Sequence, residues 1–385
     1  MCKMKTLTQE QLVTDLDYFY NKLVEMHPNP FKYIKRGEIL SDIEKIKTIP
    51  EDIRTEKLGI RLMKLLARLN DGHTEIGASD DVLGTLNYPF KFKYITDGYY
   101  VIGASKEYEK YLGFKLLGIN DKSISGIEDI LGVIIPTENE TSMKYYLPTK
   151  LVEPKILNYF GITNDNYAKF IFQKGRKNSV AEVLPLDYNT ELIDIFGAVK
   201  NLDMTLQKKE TYWVESMTKL NAVYLQYNEC EEKKGYTVSQ VVRDIKASNM
   251  RNLIIDLRNN KGGDSDVLNP LLSYIKSKQK KISVFVLVGT DTYSSAVYNL
   301  IQLSKLKNVV SIGDIPHGNP THYGQVRSFE LPNSKIKVFI STRTFTFKGY
   351  RLGEPFKPTH KVSQIMDELL VGRDTQFRYL EENLL

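Results

Sequence analysis

Asn252-Leu253-Ile254-Ile255-Asp256-Leu257-Arg258-Asn259-Asn260-Lys261-Gly262-Gly263 is the stretch on which the reading of this chain turns. Leu253, Ile254 and Ile255 form an unbroken apolar run, as expected of a strand buried on both faces. The strand runs into Gly262-Gly263, a turn whose backbone amides can approach an anion closely. A second apolar run, residues 284–288, ends in Gly289-Thr290-Asp291-Thr292-Tyr293-Ser294-Ser295-Ala296, where a helix-like segment begins. A serine at such a passage sits near free amides and the positive end of the helix dipole. That is what a nucleophile needs.

Outward from this stretch, strand and helix alternate from about residue 202. Strands are expected at 222–227, 253–257, 282–288, 309–312 and 336–341, with helices at 236–247, 267–277 and 295–304. This is α/β architecture with a largely parallel sheet, in which sites lie at the carboxyl ends of strands. Residues 7–70 read as helical. Thr8 with Glu10 and Gln11 starts one helix, Pro28-Asn29-Pro30 breaks the chain, and 55–69 forms another that stops at Asn70-Asp71-Gly72-His73-Thr74. Residues 86–200 differ: short strands at 88–94 and 99–103 flank an Asp97-Gly98 turn, a strand–turn–strand unit follows at 112–124, and 170–186 suggests a further hairpin. Their order is PDZ-like, the arrangement in which a strand edge captures an extended peptide; an accessory β-rich subdomain is the plainer alternative. Three segments result: 1–80 helical, ending in the Asp-Gly-His-Thr turn; 81–200 PDZ-like; and 201–385 the α/β core.

Composition narrows the class. The 385 residues are 42% apolar, enough for a sizeable core. No apolar run approaches the roughly 18 residues that span a bilayer. The 53 basic and 47 acidic residues leave only +6, scattered, which argues against nucleic acid as a partner. Cys2 and Cys230 are too few for a disulfide framework. Met1 leads directly into polar, helix-forming sequence without a signal peptide, which reads as cytoplasmic. A cysteine at position 2 is also what lipoprotein processing leaves, and that reading is extracytoplasmic and lipid-anchored.

Asp256 to Gly263, then Thr292-Tyr293-Ser294-Ser295-Ala296 and a helix, resembles the tail-specific, or C-terminal processing, family of serine peptidases. The likeness runs over nearly the whole chain: a helical region ending in Asp-Gly-His-Thr, a PDZ-like insert, and an α/β core of the crotonase/ClpP-like ββα type. It implies Ser294 as nucleophile and an oxyanion hole from backbone amides at Gly262, Gly263 and Ser295. One departure bears on mechanism. The better-known bacterial members carry a lysine base 25 residues after the nucleophile, and here that position is Asn319. Asparagine has no basic nitrogen. The chain instead resembles the branch of the tricorn core protease, with a histidine base far upstream, and His73 matches that position.

An unperturbed imidazole titrates near neutrality, so activity is expected to rise through one ionisation there. The resemblance implies a glutamate that orients the imidazole, and Glu354 is the candidate. His322 is the alternative base or a substrate-binding residue, while His27, His317 and His360 read as structural or exposed. Asp264 and Asp266 read as a helix cap rather than a metal site. No metal or cofactor is expected, and chelators should leave activity unchanged. The leading function is a serine endopeptidase acting on extended or unfolded polypeptides, with peptide or protein as its partner. The alternatives are a silent binding protein, as in relatives like the interphotoreceptor retinoid-binding protein, and a hydrolase of another acyl substrate.

Overall fold

The computed structural model describes residues 6–50, 52–80, 82–164, 167–197, 199, 201–207 and 210–385. Cys2 lies outside them. The chain forms two compact units: residues 1–138, 142–194 and 322–345 in one, and residues 139–141, 195–321 and 346–385 in the other.

The second unit is built on the strand Asn252–Asp256, flanked in parallel by Ala222–Tyr227 and Ser283–Val288. Val309–Gly313 and His360–Lys361 continue the parallel sheet on one side, and Tyr212–Met217 closes the other, antiparallel. Alternate side chains of a strand leave on opposite faces, and both faces here are apolar. Leu253, Ile255, Val284 and Val286 pack with Val241, Leu271 and Leu300 of the helices Val238–Ser248, Asn269–Ser277 and Ser295–Ser304. Ile254, Phe285 and Leu287 pack with Phe377 and Leu380 of Thr375–Asn383. A strand sandwiched in this way can be an uninterrupted apolar run.

The helix Thr375–Asn383 is tied to that face by a buried ion cluster. Arg258 Nη1 donates to Asp374 Oδ1 at 2.9 Å and its Nη2 to Asp256 Oδ2 at 2.6 Å. Nη2 also lies 2.8 Å from Asp374 Oδ2. Burial opposes ionisation of Asp374, yet the charge and hydrogen bonds of Arg258, with those of Thr205 and Gln364, hold its carboxyl down at about 2.

In the first unit, Gln9–Met26 begins with the expected cap: Thr8 and Gln11 exchange side-chain and backbone bonds. It packs with Arg36–Lys47 and Thr55–Ala67 around Leu16, Phe19, Ile43 and Leu62. A seven-stranded antiparallel sheet, including Phe90–Ile95, Gly98–Ala104, Lys115–Ile119, Ala168–Lys174 and Lys177–Val183, holds a separate core of Phe90, Phe92, Phe170 and Phe172. Its first turn is shifted by one residue from expectation. Ile95 pairs with Gly98, so the tight turn is Thr96-Asp97, with Thr96 at φ 51°.

Two differences from the sequence expectation concern residues 322–345. Residues 336–341 were expected among the strands of the α/β core. In the structure Lys337–Phe345 pairs antiparallel with His322–Glu330 and with Glu75–Ile76, in the first unit. The segment 201–385 is therefore not one compact body. The reason is long-range: Val338 and Ile340 are buried among the N-terminal helices. The hairpin tip is fixed there too, by buried Asp15, which accepts from the backbone amides of Asn333 (2.7 Å) and Ser334 (2.8 Å). No helix among the described residues is long and apolar enough to cross a membrane.

Candidate active site

The residues singled out by the sequence fall into two groups, one in each unit. In the second unit, Ser294 lies where the strand Ser283–Val288 passes to the helix Ser295–Ser304. Its backbone is at φ 50°, ψ −123°, a conformation that costs a non-glycine residue about 1–3 kcal/mol and persists only where surrounding structure imposes it. The constraints are visible. Thr292, fully buried, donates to Leu257 O at 2.8 Å and accepts from Gly289 N–H at 3.1 Å. Tyr293 N–H donates to Asn260 O, and the Tyr293 ring stacks on His317 with 4.2 Å between centroids. A strained strand-to-helix turn of this kind is how serine nucleophiles are presented on other α/β folds.

The glycine turn lies against this elbow. A Cβ on Gly262 would come within 2.8 Å of Ser294 Cβ, and its φ is 106°, so only glycine fits. The Gly262 amide itself donates to Asn260 Oδ1 at 2.9 Å. Gly262 carries one of the three amides expected to stabilise an oxyanion, and here that amide is engaged by Asn260. Gly263 is exposed, and its carbonyl accepts from Ser295 Oγ at 2.6 Å. The same bond occupies the Ser295 hydroxyl and so separates the two adjacent serines chemically. The Ser294 side chain does not cap the helix. Asp264 accepts from Asp266 N–H at 2.9 Å, the capping role expected of it.

In the first unit, His73 occupies the turn after the helix Thr55–Ala67. Asn70 takes the left-handed conformation that ends the helix, at φ 50°. Asp71 is fully buried and anchors the turn. Its Oδ1 accepts from His73 N–H at 2.9 Å and lies 3.9 Å from His73 Nδ1. Its Oδ2 accepts from Thr74 Oγ1 at 2.5 Å and pairs with His27 Nε2 at 3.2 Å. Buried Glu138 accepts from Gly72 N–H at 2.9 Å. His322 stacks on His73, centroids 5.4 Å apart and planes at 18°, and Phe345 also stacks on His322 at 5.3 Å.

These contacts set the charges. Burial opposes ionisation of Asp71, but the hydrogen bond from His27, the charge of His73 and bonds from Thr74 and Ser341 keep its carboxyl below the usual range. Burial depresses His73 to about 4; Asp71 pulls it up and His322 pushes it further down. Burial and then the charge of Asp71 raise Glu138 to about 8, against the bond from Gly72. At neutral pH, among Asp71, His73 and Glu138, the charge thus rests on Asp71.

Asp71, His73 and Glu138 also bring ligand atoms within 4.8 Å of one another, a group that could hold a cation. A proton on Glu138 already relieves the repulsion between the carboxylates. Glu138 consequently weakens the fold as pH rises. Between its ordinary value near 4.5 and about 8 the unfolded chain releases a proton that the folded chain keeps. Each pKa unit is about 1.4 kcal/mol, so the total is several kcal/mol. Glu138→Gln keeps an acceptor for Gly72 and should melt higher than the parent at pH 8, with the gap closing at pH 5. Equal gaps at both pH values would exclude this charge state.

Glu354, expected to orient His73, is exposed, and its carboxylate accepts from Arg351 N–H in its own turn at 3.1 Å. Asn319 is buried, and its Oδ1 accepts from Asn139 Nδ2 at 2.8 Å. Sequence reasoning missed Glu138 entirely and took Asp71 and His27 for local structure. His27 is 44 residues from Asp71, and Glu138 is 66 from Gly72. No periodicity or spacing signals contacts of that kind.

Residues 221–281, from the strand Ala222–Tyr227 through the glycine turn, match the family model described as Peptidase family S41. No curated protein matches the sequence. Among solved structures the chain is similar to mature CPAF complexed with lactacystin, at 12% identity and TM-score 0.70 over 97% of each chain. It is also similar to mature CPAF alone, at 12% identity and TM-score 0.68 over 97% of this chain and 96% of that one. These likenesses show a shared fold. The family match lies on the sheet strands and the glycine turn that packs against Ser294.

Proposed function

We propose that this chain is a serine peptidase of family S41 that cleaves extended or unfolded polypeptides through an acyl-enzyme, with Ser294 as nucleophile and His73 as general base. The observation that carries this reading is the Ser294 elbow: a serine held at positive φ against a glycine turn, at the start of a ten-residue helix. Attack by Oγ on the scissile carbonyl forms the tetrahedral intermediate while His73 takes the Oγ proton; the imidazolium then protonates the leaving amine, and water repeats the cycle on the acyl-enzyme. The oxyanion is assigned to the amides of Gly263 and Ser295, since the Gly262 amide is held by Asn260. Glycine at 262 serves close approach instead.

The extended chain is assigned to the β-rich region of residues 81–200. Its outer strand Lys177–Val183 pairs on one side among the described residues and carries exposed Val180. Hydrolysis of a panel of unfolded proteins and small esters, by the parent and by Ser294→Ala, tests the assignment. Cleavage of proteins that disappears in the variant supports it. Ester turnover without protein cleavage would make the enzyme a hydrolase of another acyl group, and no turnover of either would favour a binding protein.

The pH dependence differs from the sequence expectation. A base must be unprotonated, and burial places the His73 imidazolium near 4 instead of near neutrality. kcat/KM should therefore rise through an inflection near pH 4 and be level by pH 6. His322→Phe removes a neighbour that lowers His73, so its inflection should lie at higher pH. An inflection near 6.5 in the parent would exclude a desolvated base.

A further inference from the structure

We propose that Asp71, itself aimed by His27, is the carboxylate that positions the His73 imidazole, forming a relay of two histidines on one buried acid. The proposal rests on the reading of His73 as the base.

The geometry begins at His27. Asn29 N–H donates to His27 Nδ1 at 3.1 Å, so that nitrogen is an acceptor and the proton sits on Nε2. Nε2 then donates to Asp71 Oδ2 at 3.2 Å. His27 caps the end of the helix Gln9–Met26, where Pro28 and Pro30 stiffen the chain, and Tyr323 packs on its ring with centroids 4.7 Å apart. Oδ2 also takes the Thr74 hydroxyl, whose oxygen accepts from Ser341 N–H at 3.0 Å. With Oδ2 engaged on two sides, the carboxylate cannot rotate. Oδ1 is left facing His73, bonded to its backbone amide and 3.9 Å from Nδ1.

That separation is longer than a hydrogen bond, as catalytic contacts often are before substrate binds. It is close enough for a buried carboxylate to favour the imidazolium that forms when the base takes a proton. His322 and Tyr323 are consecutive residues of one strand, and they pack on the two histidines of the relay. Other titratable groups surround it. Protonated Glu138 adds no charge at neutral pH, Tyr33 feels Glu138, and Glu75 and Tyr323 feel Asp71, with Lys150 acting on Glu75. Glu354 is bound within its own turn. Asp71 has a built connection to the base, through the His73 backbone amide and the approach of Oδ1 to Nδ1.

The test measures kcat, KM and the pH dependence of fluorophosphonate labelling for Asp71→Asn, His27→Phe, His27→Gln and Glu354→Gln, with Ser294→Ala and His73→Ala as references. Asp71→Asn should lower kcat roughly 100- to 10,000-fold with little change in KM. It should also move the acid limb of labelling to lower pH, which loss of a merely structural residue would not do. His27→Phe should lower kcat by up to about 100-fold. His27→Gln, which still offers a donor to Asp71, should recover most of that loss, and it decides the matter if Asp71→Asn does not fold. Parental rate and pH limb in Asp71→Asn, or equal loss in both His27 variants, would overturn the relay. So would a kcat loss in Glu354→Gln that exceeds that in Asp71→Asn. Full labelling of His73→Ala would instead reject the base assignment on which the relay depends.

Discussion

Ser294→Ala and His73→Ala should each lower kcat on the order of 10,000- to 1,000,000-fold, and the double variant should be no slower than the worse single one. Residues that act as a unit lose their effect together. A serine hydroxyl without a base stays protonated at neutral pH, and a base without the hydroxyl has no proton to take. Intact mass after fluorophosphonate treatment reads the same event directly: one adduct on the parent, none on Ser294→Ala, and slow labelling of His73→Ala. An adduct that persists in Ser294→Ala and vanishes in Ser295→Ala would move the nucleophile by one residue, against the Ser295–Gly263 hydrogen bond. Ser294→Gly adds a second readout. It should be equally inactive yet more stable by about 1–2 kcal/mol, because glycine adopts φ 50° freely. A gain in stability with a loss of activity is the mark of strain held for function. Equal stability of the glycine and alanine variants would mean that the turn stores none.

Arg258→Met should cost about 3–5 kcal/mol at pH 7, a large share of the roughly 5–15 kcal/mol that holds a typical domain together. The methionine fills much of the same volume, so the loss reports charge more than packing. It strands Asp256 and Asp374, which are 1% and 0% exposed. The pH dependence distinguishes this cause from a packing defect. In the parent, Asp374 sits near 2, below its ordinary value of about 3.9. Its contribution is therefore complete above pH ~4 and lost as pH falls towards 2. Without Arg258 the acid prefers to be protonated, so the deficit of the variant should shrink on acidification from pH 7 to 4.5. Urea unfolding at the two pH values measures it, and an unchanged deficit would point to packing. The cluster matters for the site because Arg258 follows the central strand and precedes the glycine turn by four residues.

Much of this protein is written locally. The capping pair Thr8 and Gln11, the unbroken apolar runs at 253–255 and 284–288, and the helix that begins at Ser295 are features of neighbouring residues, and the structure has each of them. The glycine turn and the Ser294 elbow were legible for the same reason, since turn chemistry lies in consecutive residues. Tertiary structure alone decided the rest. The hairpin of residues 322–345 is alternating strand sequence that could join any sheet. Val338, Ile340 and the amides held by Asp15 assign it to the N-terminal helices. The same holds for charge. Nothing local distinguishes Glu138 from an exposed glutamate, or His27 from a helix-end histidine. Burial beside Asp71 raises the one to about 8, and the Asn29 amide sets the tautomer of the other. Sequence determined which groups are present and how the backbone presents the serine. Their protonation states depend on desolvation and on charges brought from distant parts of the chain, and those exist only once it has folded.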